Sequence, residues 1–479
     1  MEFWGRTREL QRLHGELRHV RASGTGRMLA IRGRRQVGKS RLLTEMVEQA
    51  GVPYLYTTAV KNEVPAMQLE RAMSDLHTSR RPLPAVEVAF AAPATSWTDL
   101  FARLPIALDG EPAIVVLDEF PWATETDDSL EAVLQHAWDG TLEHLPVLLI
   151  LVGSDLTMME RLTEHDRPLF GRAHELVVAA LNPAETAEAL GARDPVDILD
   201  VYLTTGGYPR LLVEARRHPN ARSFVVAQLA DDHSPLSITG QRMLDAEFRD
   251  AEQARTVLEA IGAVEVGHPT FSSAVGNLGG GDAAKTAVTR ALKPLLDMKR
   301  VVAIDVPVGT DPRKTRTRRY RIVDPYLRFW FRYCRPNLAD IARGRDDIAV
   351  GHYDRDYSSW RGKTIEPIVH EAVSRAARFD DRFAALERVG AWWDRTGHHE
   401  YDIAATTHGG TIAWLGTIKW RPNQPVTAAE IAALAEGRAT VPDAAHARLL
   451  AVCPAGAAEG SGPDATFEAA DIVAAWRPR

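Results

Sequence analysis

Between the apolar run Met28–Ile31 and the helix-patterned stretch Arg41–Ala50 lies GRRQVGKS, Gly33 to Ser40. This is a complete G-x-x-x-x-G-K-[ST] spacing, and it demands a buried strand, a tight loop and a helix in that order. The glycines let backbone N–H groups close around a phosphate, and the helix N-terminus adds its positive dipole. Gly33, Arg34, Arg35, Gln36, Val37 and Gly38 are therefore expected to cradle phosphate, with Arg41 at the start of the helix. Lys39 is expected to reach the β- and γ-phosphates and Ser40 to ligate Mg²⁺. Three arginines, Arg32, Arg34 and Arg35, crowd the start of the loop, and the sequence leaves open whether they touch phosphate or brace the turn.

A second motif supports the first. In AIVVLDEFPW an apolar run ends in Asp118-Glu119, which places two carboxylates at the C-terminal end of a buried strand, where α/β sheets bind ligands. Asp118 is expected to hold the magnesium shell, and Glu119 to polarise the attacking water as a general base. The run VLLILVGS puts Ser154 beside the expected γ-phosphate. Arg172, in PLFGRAHELVV, stands just before another strand-like run. It either projects into a neighbouring subunit's nucleotide, in a homo-oligomer with nucleotide between subunits, or serves as a surface salt-bridge partner; Arg167 competes for the same role. Arg210, in GGYPRLL, is a candidate to close over the phosphates from a helical lid.

At 479 residues the chain needs more than one core. MLAIRG, VPYLYTT, AIVVLDE, PVLLILVGS and HELVVAAL read as strands separated by helix-length segments. This predicts an α/β core with a parallel sheet over residues 1–180. Residues 181–235 read as a purely helical lid. Residues 236–330 hold three helical patterns and then two strand-like runs around GTDPRKT, the order of a winged helix-turn-helix, with Thr270 and Asp282 as N-caps. Residues 331–479 open on DPYLRFWFRYCRPN and mix helical and strand-like runs.

No apolar run approaches membrane-spanning length, and MEFWGRTREL has no signal-peptide core, so a cytoplasmic protein without membrane contact is expected. Cys334 and Cys453 lack both disulfide and zinc spacing. The net charge of −7 argues against a chain that coats nucleic acid indiscriminately, though not against a local basic patch.

Taken together, these motifs resemble the archaeal-type ATPase family of the AAA+ superfamily, close to the STAND NTPases. The family's F-x-G-R-x-x-E-L reads here Phe3 to Leu10, and GRR in the loop belongs to its signature. The hhhhDE, GS, P-L-x-G-R and G-G-Y-P-R elements follow in the family's order. D-P-Y-L-R-F-W-F and V-G-x-W-W…D-I…K-W extend the resemblance through the C-terminal part. The resemblance implies a P-loop NTPase core with a helical lid, ATP as nucleotide, magnesium as ion and a winged helix after the lid.

Two uses of ATP remain open. One is a DNA-associated switch or motor. Its grip would come from Lys285, Thr286, Thr289, Arg290 and Lys293 on the third helix, and from Arg313, Lys314, Arg316, Arg318, Arg319 and Arg321 in the wing. The other is a signalling ATPase whose nucleotide state controls assembly and binding of protein partners through the C-terminal domain. That domain resembles the PD-(D/E)xK nuclease fold in outline, with Glu366, Asp402 and Lys419 in the expected order. The acid expected two residues before Lys419 is Thr417, and Glu400 is a possible substitute. A degenerate fold used for binding or oligomer contact is expected, with Trp392, Trp393, Trp414 and Trp420 in its core.

Overall fold

The runs AIVVL and VLLILV have no polar alternation, which suits strands covered on both faces. In a computed structural model of the protein they are β3 (Ala113–Asp118) and β4 (Val147–Gly153), buried along their whole length. Every residue is described except 1, 155, 163, 249–251, 264–268, 312–314, 316 and 479. The chain divides into two units, Met1–Ala180 and Leu181–Arg479.

In the first unit β3 and β4 are flanked by β1 (Arg27–Arg32), β2 (Tyr54–Thr58) and β5 (Ala173–Val177) in the order 2-3-4-1-5. All four pairings are parallel. Sequence pattern and position agree: β2 alternates buried and half-buried residues, and β5 is mostly exposed, as edge strands allow. The run HELVVAAL leaves the sheet after Val177, because only Met28–Arg32 of β1 is there to pair with it. One helix, Trp97–Leu108, starts on Ser96, whose side chain accepts from the N–H of Asp99. This order places the C-terminal ends of β1, β3 and β4 side by side, and those ends carry the phosphate-loop spacing, Asp118-Glu119 and Ser154.

The second unit opens with helices whose starts are written in the sequence. Asn182, Asp194 and Ser234 each precede a proline and cap the helix that follows with a side-chain oxygen. Helices Glu252–Gly262, Phe271–Asn277 and Gly281–Lys293 come next. An antiparallel hairpin follows, β6 (Val302–Asp305) with β7 (Arg319–Ile322). Thr270 caps its helix in a capping box with Ser273. Asp282 instead lies inside the first turn of Gly281–Lys293, because the three glycines 279–281 all take positive φ and carry the chain into the helix.

The aromatic stretch forms a core of its own. Tyr326, Phe329, Trp330 and Tyr333 are fully buried, and Tyr353, Tyr357 and Trp360 from helix Asp346–Thr364 pack with Tyr333 at ring distances of 5.4, 6.2 and 5.5 Å. Beyond helix Glu366–Ala376 lies a separate mixed sheet. Its strands are β8 (Leu386–Trp393), β9 (Glu400–Thr407), β10 (Ile412–Ile418), β11 (Arg448–Val452) and β12 (Ala465–Phe467), in the order 12-11-10-9-8. Trp392, Trp393, Trp414 and Trp420 are all buried. Among the described residues, no helix is long and apolar enough to cross a membrane.

One buried hydrogen bond ties the GGYPR turn to the aromatic core. The Tyr208 hydroxyl donates to Asp324 at 2.6 Å, and Asp324 in turn caps helix Pro325–Phe329 by accepting from the N–H of Leu327. Tyr208→Phe removes a donor to a buried carboxylate and is expected to lower the unfolding free energy by about 2 kcal/mol. The check is a lower urea midpoint at unchanged slope for the transition that reports the second unit.

Candidate functional site

Residues 33–38 leave β1 and turn sharply into helix Lys39–Ala50. The turn needs Gly38, which sits at φ 93° and precedes the helix. It needs Gly33 for a different reason: a Cβ there would lie 2.2 Å from the carbonyl oxygen of Val178. The Lys39 ammonium folds back into the loop and donates to the carbonyl oxygens of Gly33 (2.7 Å) and Arg34 (3.1 Å).

Asp118, at the end of β3, is the point where the loop meets the sheet. Its Oδ2 accepts from the Ser40 hydroxyl and from the Tyr56 hydroxyl, each at 2.8 Å, and its Oδ1 accepts from the N–H of Glu119 at 3.0 Å. Burial first, and then the charge of Asp118, push the Tyr56 hydroxyl well above the usual tyrosine range. Tyr56 therefore stays a donor at any working pH. Glu119 takes a left-handed conformation, φ 53°, uncommon for a glutamate. That turn aims its carboxylate at Ser154, whose hydroxyl donates to Oε2 at 2.9 Å and whose N–H donates at 3.3 Å.

Two of the crowded arginines, Arg32 and Arg35, have local partners. Arg32 pairs with Glu160 at 2.5 Å and with Glu175 at 3.2 Å. The Arg35 guanidinium lies 5.1 Å from the centre of the Trp122 ring. Arg41 pairs with Glu45 at 3.1 Å and lies 5.8 Å from the Phe3 ring centre. Gln36 is the loop's other positive-φ position, at 64°.

Comparison with known proteins places these features in a family. Residues 3–215 match a family model described as an ATPase domain predominantly from Archaea, and residues 330–431 match one for archaeal and bacterial proteins of unknown function. Residues 3–215 are an archaeal-type ATPase domain. An uncharacterized protein of Methanocaldococcus jannaschii is 24% identical over 421 residues, covering 88% of each chain. A Walker-type ATPase of Pyrococcus abyssi has a TM-score of 0.51 at 18% identity, covering 69% of this chain and 96% of that one; at that identity the likeness shows the fold. The ORC2 protein of Aeropyrum pernix, in ADPNP–ADP complexes, has a TM-score of 0.43 at 16% identity, covering 74% and 96%. The first unit shares the fold of that Walker-type ATPase, and the family model that residues 3–215 match is one of ATPases.

Two residues around the ATPase loop escaped the sequence reading of the site. Arg6 is 3% exposed and donates to the carbonyl oxygens of Val37 (2.8 Å) and Ala179 (2.6 Å) and to Glu9 (3.1 Å). It clips the phosphate loop to the chain beyond β5. Its signal was the GR of the N-terminal signature, recognised as a family mark without a role. Tyr56 carried no motif at all.

The remaining candidates lie elsewhere. The Arg172 guanidinium grips Asp139 through two bonds of 2.7 Å, and Arg167 pairs with Glu131. Arg210 is an exposed residue on the first turn of helix Pro209–Ala215, in the second unit. Lys285 and Arg290 are exposed on helix Gly281–Lys293, and Lys285 pairs with Asp282 at 3.0 Å. Arg313, Lys314 and Arg316 lie outside the described residues, and Arg318 directly precedes β7. Arg319 is occupied within the second unit: it makes two bonds to Glu400, of 3.0 and 2.8 Å, and stacks 4.0 Å from the Trp393 ring centre. Glu366 and Asp402 lie on either side of Lys363, whereas Lys419 follows β10 with its N–H on the carbonyl of Val452.

Arg6→Ala leaves the carbonyls of Val37 and Ala179 without this donor and is expected to cost about 2 kcal/mol. The Michaelis constant for ATP should rise with it. Arg6→Lys should restore little of either, because one ammonium does not replace the planar fork. Urea unfolding and steady-state ATPase kinetics of the three chains give the check.

Proposed function

We propose that the chain is a Mg²⁺-dependent ATPase that acts as a DNA-associated switch or motor, gripping duplex through a winged helix in its second unit. The ATP part of this reading rests on the convergence at Asp118. Ser40 and Asp118 lie within hydrogen-bond distance, close enough for both to serve one hard cation, directly or through its water shell. Bound at the loop, MgATP would take the Lys39 ammonium onto its phosphates. Glu119 would then orient the attacking water, with Ser154 governing where that carboxylate points. Arg172 would serve a neighbouring subunit's nucleotide only after leaving Asp139, and Arg210 is the lid's candidate phosphate contact.

The DNA part is carried by one observation, the exposed face of helix Gly281–Lys293. Ala284, Val288 and Ala291 are buried, while Lys285, Thr286, Thr289, Arg290 and Lys293 are all exposed. An amphipathic third helix with cations and hydroxyls outward, followed by hairpin β6–β7, is the arrangement that reads a major groove. Arg319 is left out of this surface because Glu400 and Trp393 already hold it. That same engagement favours a second reading. A wing docked onto the C-terminal sheet suits a signalling ATPase whose second unit binds protein partners, with the mixed sheet as the docking body.

Lys39→Ala is expected to abolish ATP binding. Glu119→Gln is expected to bind ATP with near-parental affinity while kcat falls roughly 100-fold or more; full turnover in that variant would sink the base assignment. For DNA, the parent should bind a duplex with steep salt dependence. Replacing Lys285, Arg290 and Lys293 together by alanine should flatten the log–log salt slope by about 3. Fluorescence anisotropy at several salt concentrations measures both, and an absence of duplex binding at low salt would favour the partner-binding reading.

A further inference from the structure

Three carboxylates of the second unit converge on one ammonium. Lys363 Nζ lies 3.0 Å from Glu366, 3.6 Å from Glu400 and 3.9 Å from Asp402. Helix Asp346–Thr364 ends one residue after Lys363, and helix Glu366–Ala376 begins with Pro367 in its first turn. Lys363 and Glu366, three residues apart across this junction, are helical neighbours. Glu400 and Asp402, two apart on β9, both reach the same ammonium.

Carboxylates gathered from a helix and a strand in this way are the raw material of a divalent-metal site, so the fit is worth testing. Mg²⁺ holds oxygens at about 2.1 Å, which requires its ligand atoms to lie within roughly 4.2 Å of one another. Among the described residues, oxygens of these three acids do not come within 4.8 Å of one another as a set. Asp402 is also partly spent: its Oδ2 accepts from the N–H of Ile418 at 2.9 Å and from the Thr417 hydroxyl at 3.0 Å. Thr417 stands where a further acid would complete a metal shell, and it donates to Asp402. Glu400 is occupied on its other side by Arg319. With the Lys363 ammonium among the three acids, a divalent ion does not fit this arrangement.

We infer that the Lys363 ammonium takes the place of a divalent cation among Glu366, Glu400 and Asp402 and closes this cluster to metal. The charge is secure. Burial works against the ammonium, but Glu366, Asp402 and Glu400 outweigh it and hold its pKa above the usual lysine value. The consequence is mechanical: a chain of ion pairs runs from Arg319 of β7 through Glu400 of β9 and Lys363 to Glu366. It fastens the hairpin, the mixed sheet and the helix break to one another.

The test uses the full chain carrying Lys39→Ala, without nucleotide, and counts only metal binding that Glu366→Gln removes. Mn²⁺ binding is read from loss of the free-ion resonance signal and from melting temperature. The Lys39→Ala chain is expected to show no saturable Mn²⁺ site that depends on Glu366. Adding Lys363→Ala should create one site per chain and make the melting temperature rise with Mn²⁺, and a further Glu366→Gln should erase both gains. A saturable site in the Lys39→Ala chain that Glu366→Gln removes would overturn the inference, as would a folded Lys363→Ala chain that gains no site. Should Lys363→Ala not fold, acylation of Lys363 in the Lys39→Ala chain decides. A rate unchanged by Mn²⁺ supports a lysine that metal does not displace, and a rate increased by Mn²⁺ refutes it.

Discussion

Asp118 is the residue through which the ATPase domain communicates with itself. One carboxylate, at the end of a strand buried along its whole length, receives hydroxyls from Ser40 and Tyr56 and the N–H of Glu119. Those donors come from the helix after the loop, from the edge-side strand β2 and from the turn that carries the second acid. A charged group with so many donors is costly to leave partly satisfied in a low-dielectric site. Drawing Ser40 away would leave Asp118 a donor short, so the site favours whatever cation or donor takes its place. The second acid is held separately, on Ser154, so the two carboxylates of the DE pair are tied to different strands and can respond separately.

The surplus arginines of the loop bear on the same economy of charge. Arg32 is matched by Glu160 and Glu175, Arg35 lies against Trp122, and Arg41 pairs with Glu45. Lys39 turns its charge onto the carbonyls of Gly33 and Arg34, weak partners that a phosphate readily outcompetes. Arg6, buried, holds the carbonyl of Val37 and braces the loop.

What the sequence made legible was local or periodic. Unbroken apolar runs gave the central strands, a phosphate-loop spacing gave the first turn, and Asn-Pro, Asp-Pro and Ser-Pro pairs gave three helix starts. What stayed hidden depended on contacts far apart in the chain. Arg6 reaches Val37 and Ala179, Tyr56 reaches Asp118, and Arg319 leaves the β6–β7 hairpin for Glu400. No residue spacing encodes such pairs. In β5 the apolar run outlasts the strand, because its neighbour β1 runs out before it does. Of the nuclease-like set, Glu366 and Asp402 do share an ammonium, but it is that of Lys363, which reaches Asp402 only through the packing of a helix end on β9 and so has no spacing to mark it.

The phosphate loop and the Lys363 cluster handle charge in different ways. At the loop, Lys39 donates to carbonyls of Gly33 and Arg34, and Asp118 and Glu119 accept from hydroxyls and N–H groups. Neutral partners of this kind can be exchanged at small cost when a highly charged nucleotide arrives. In the second unit, cations and carboxylates neutralise one another directly, Lys363 with Glu366 and Arg319 with Glu400. Breaking one such pair strands the other charge, which costs far more than exchanging neutral donors. The first arrangement is built to change state and the second to hold shape.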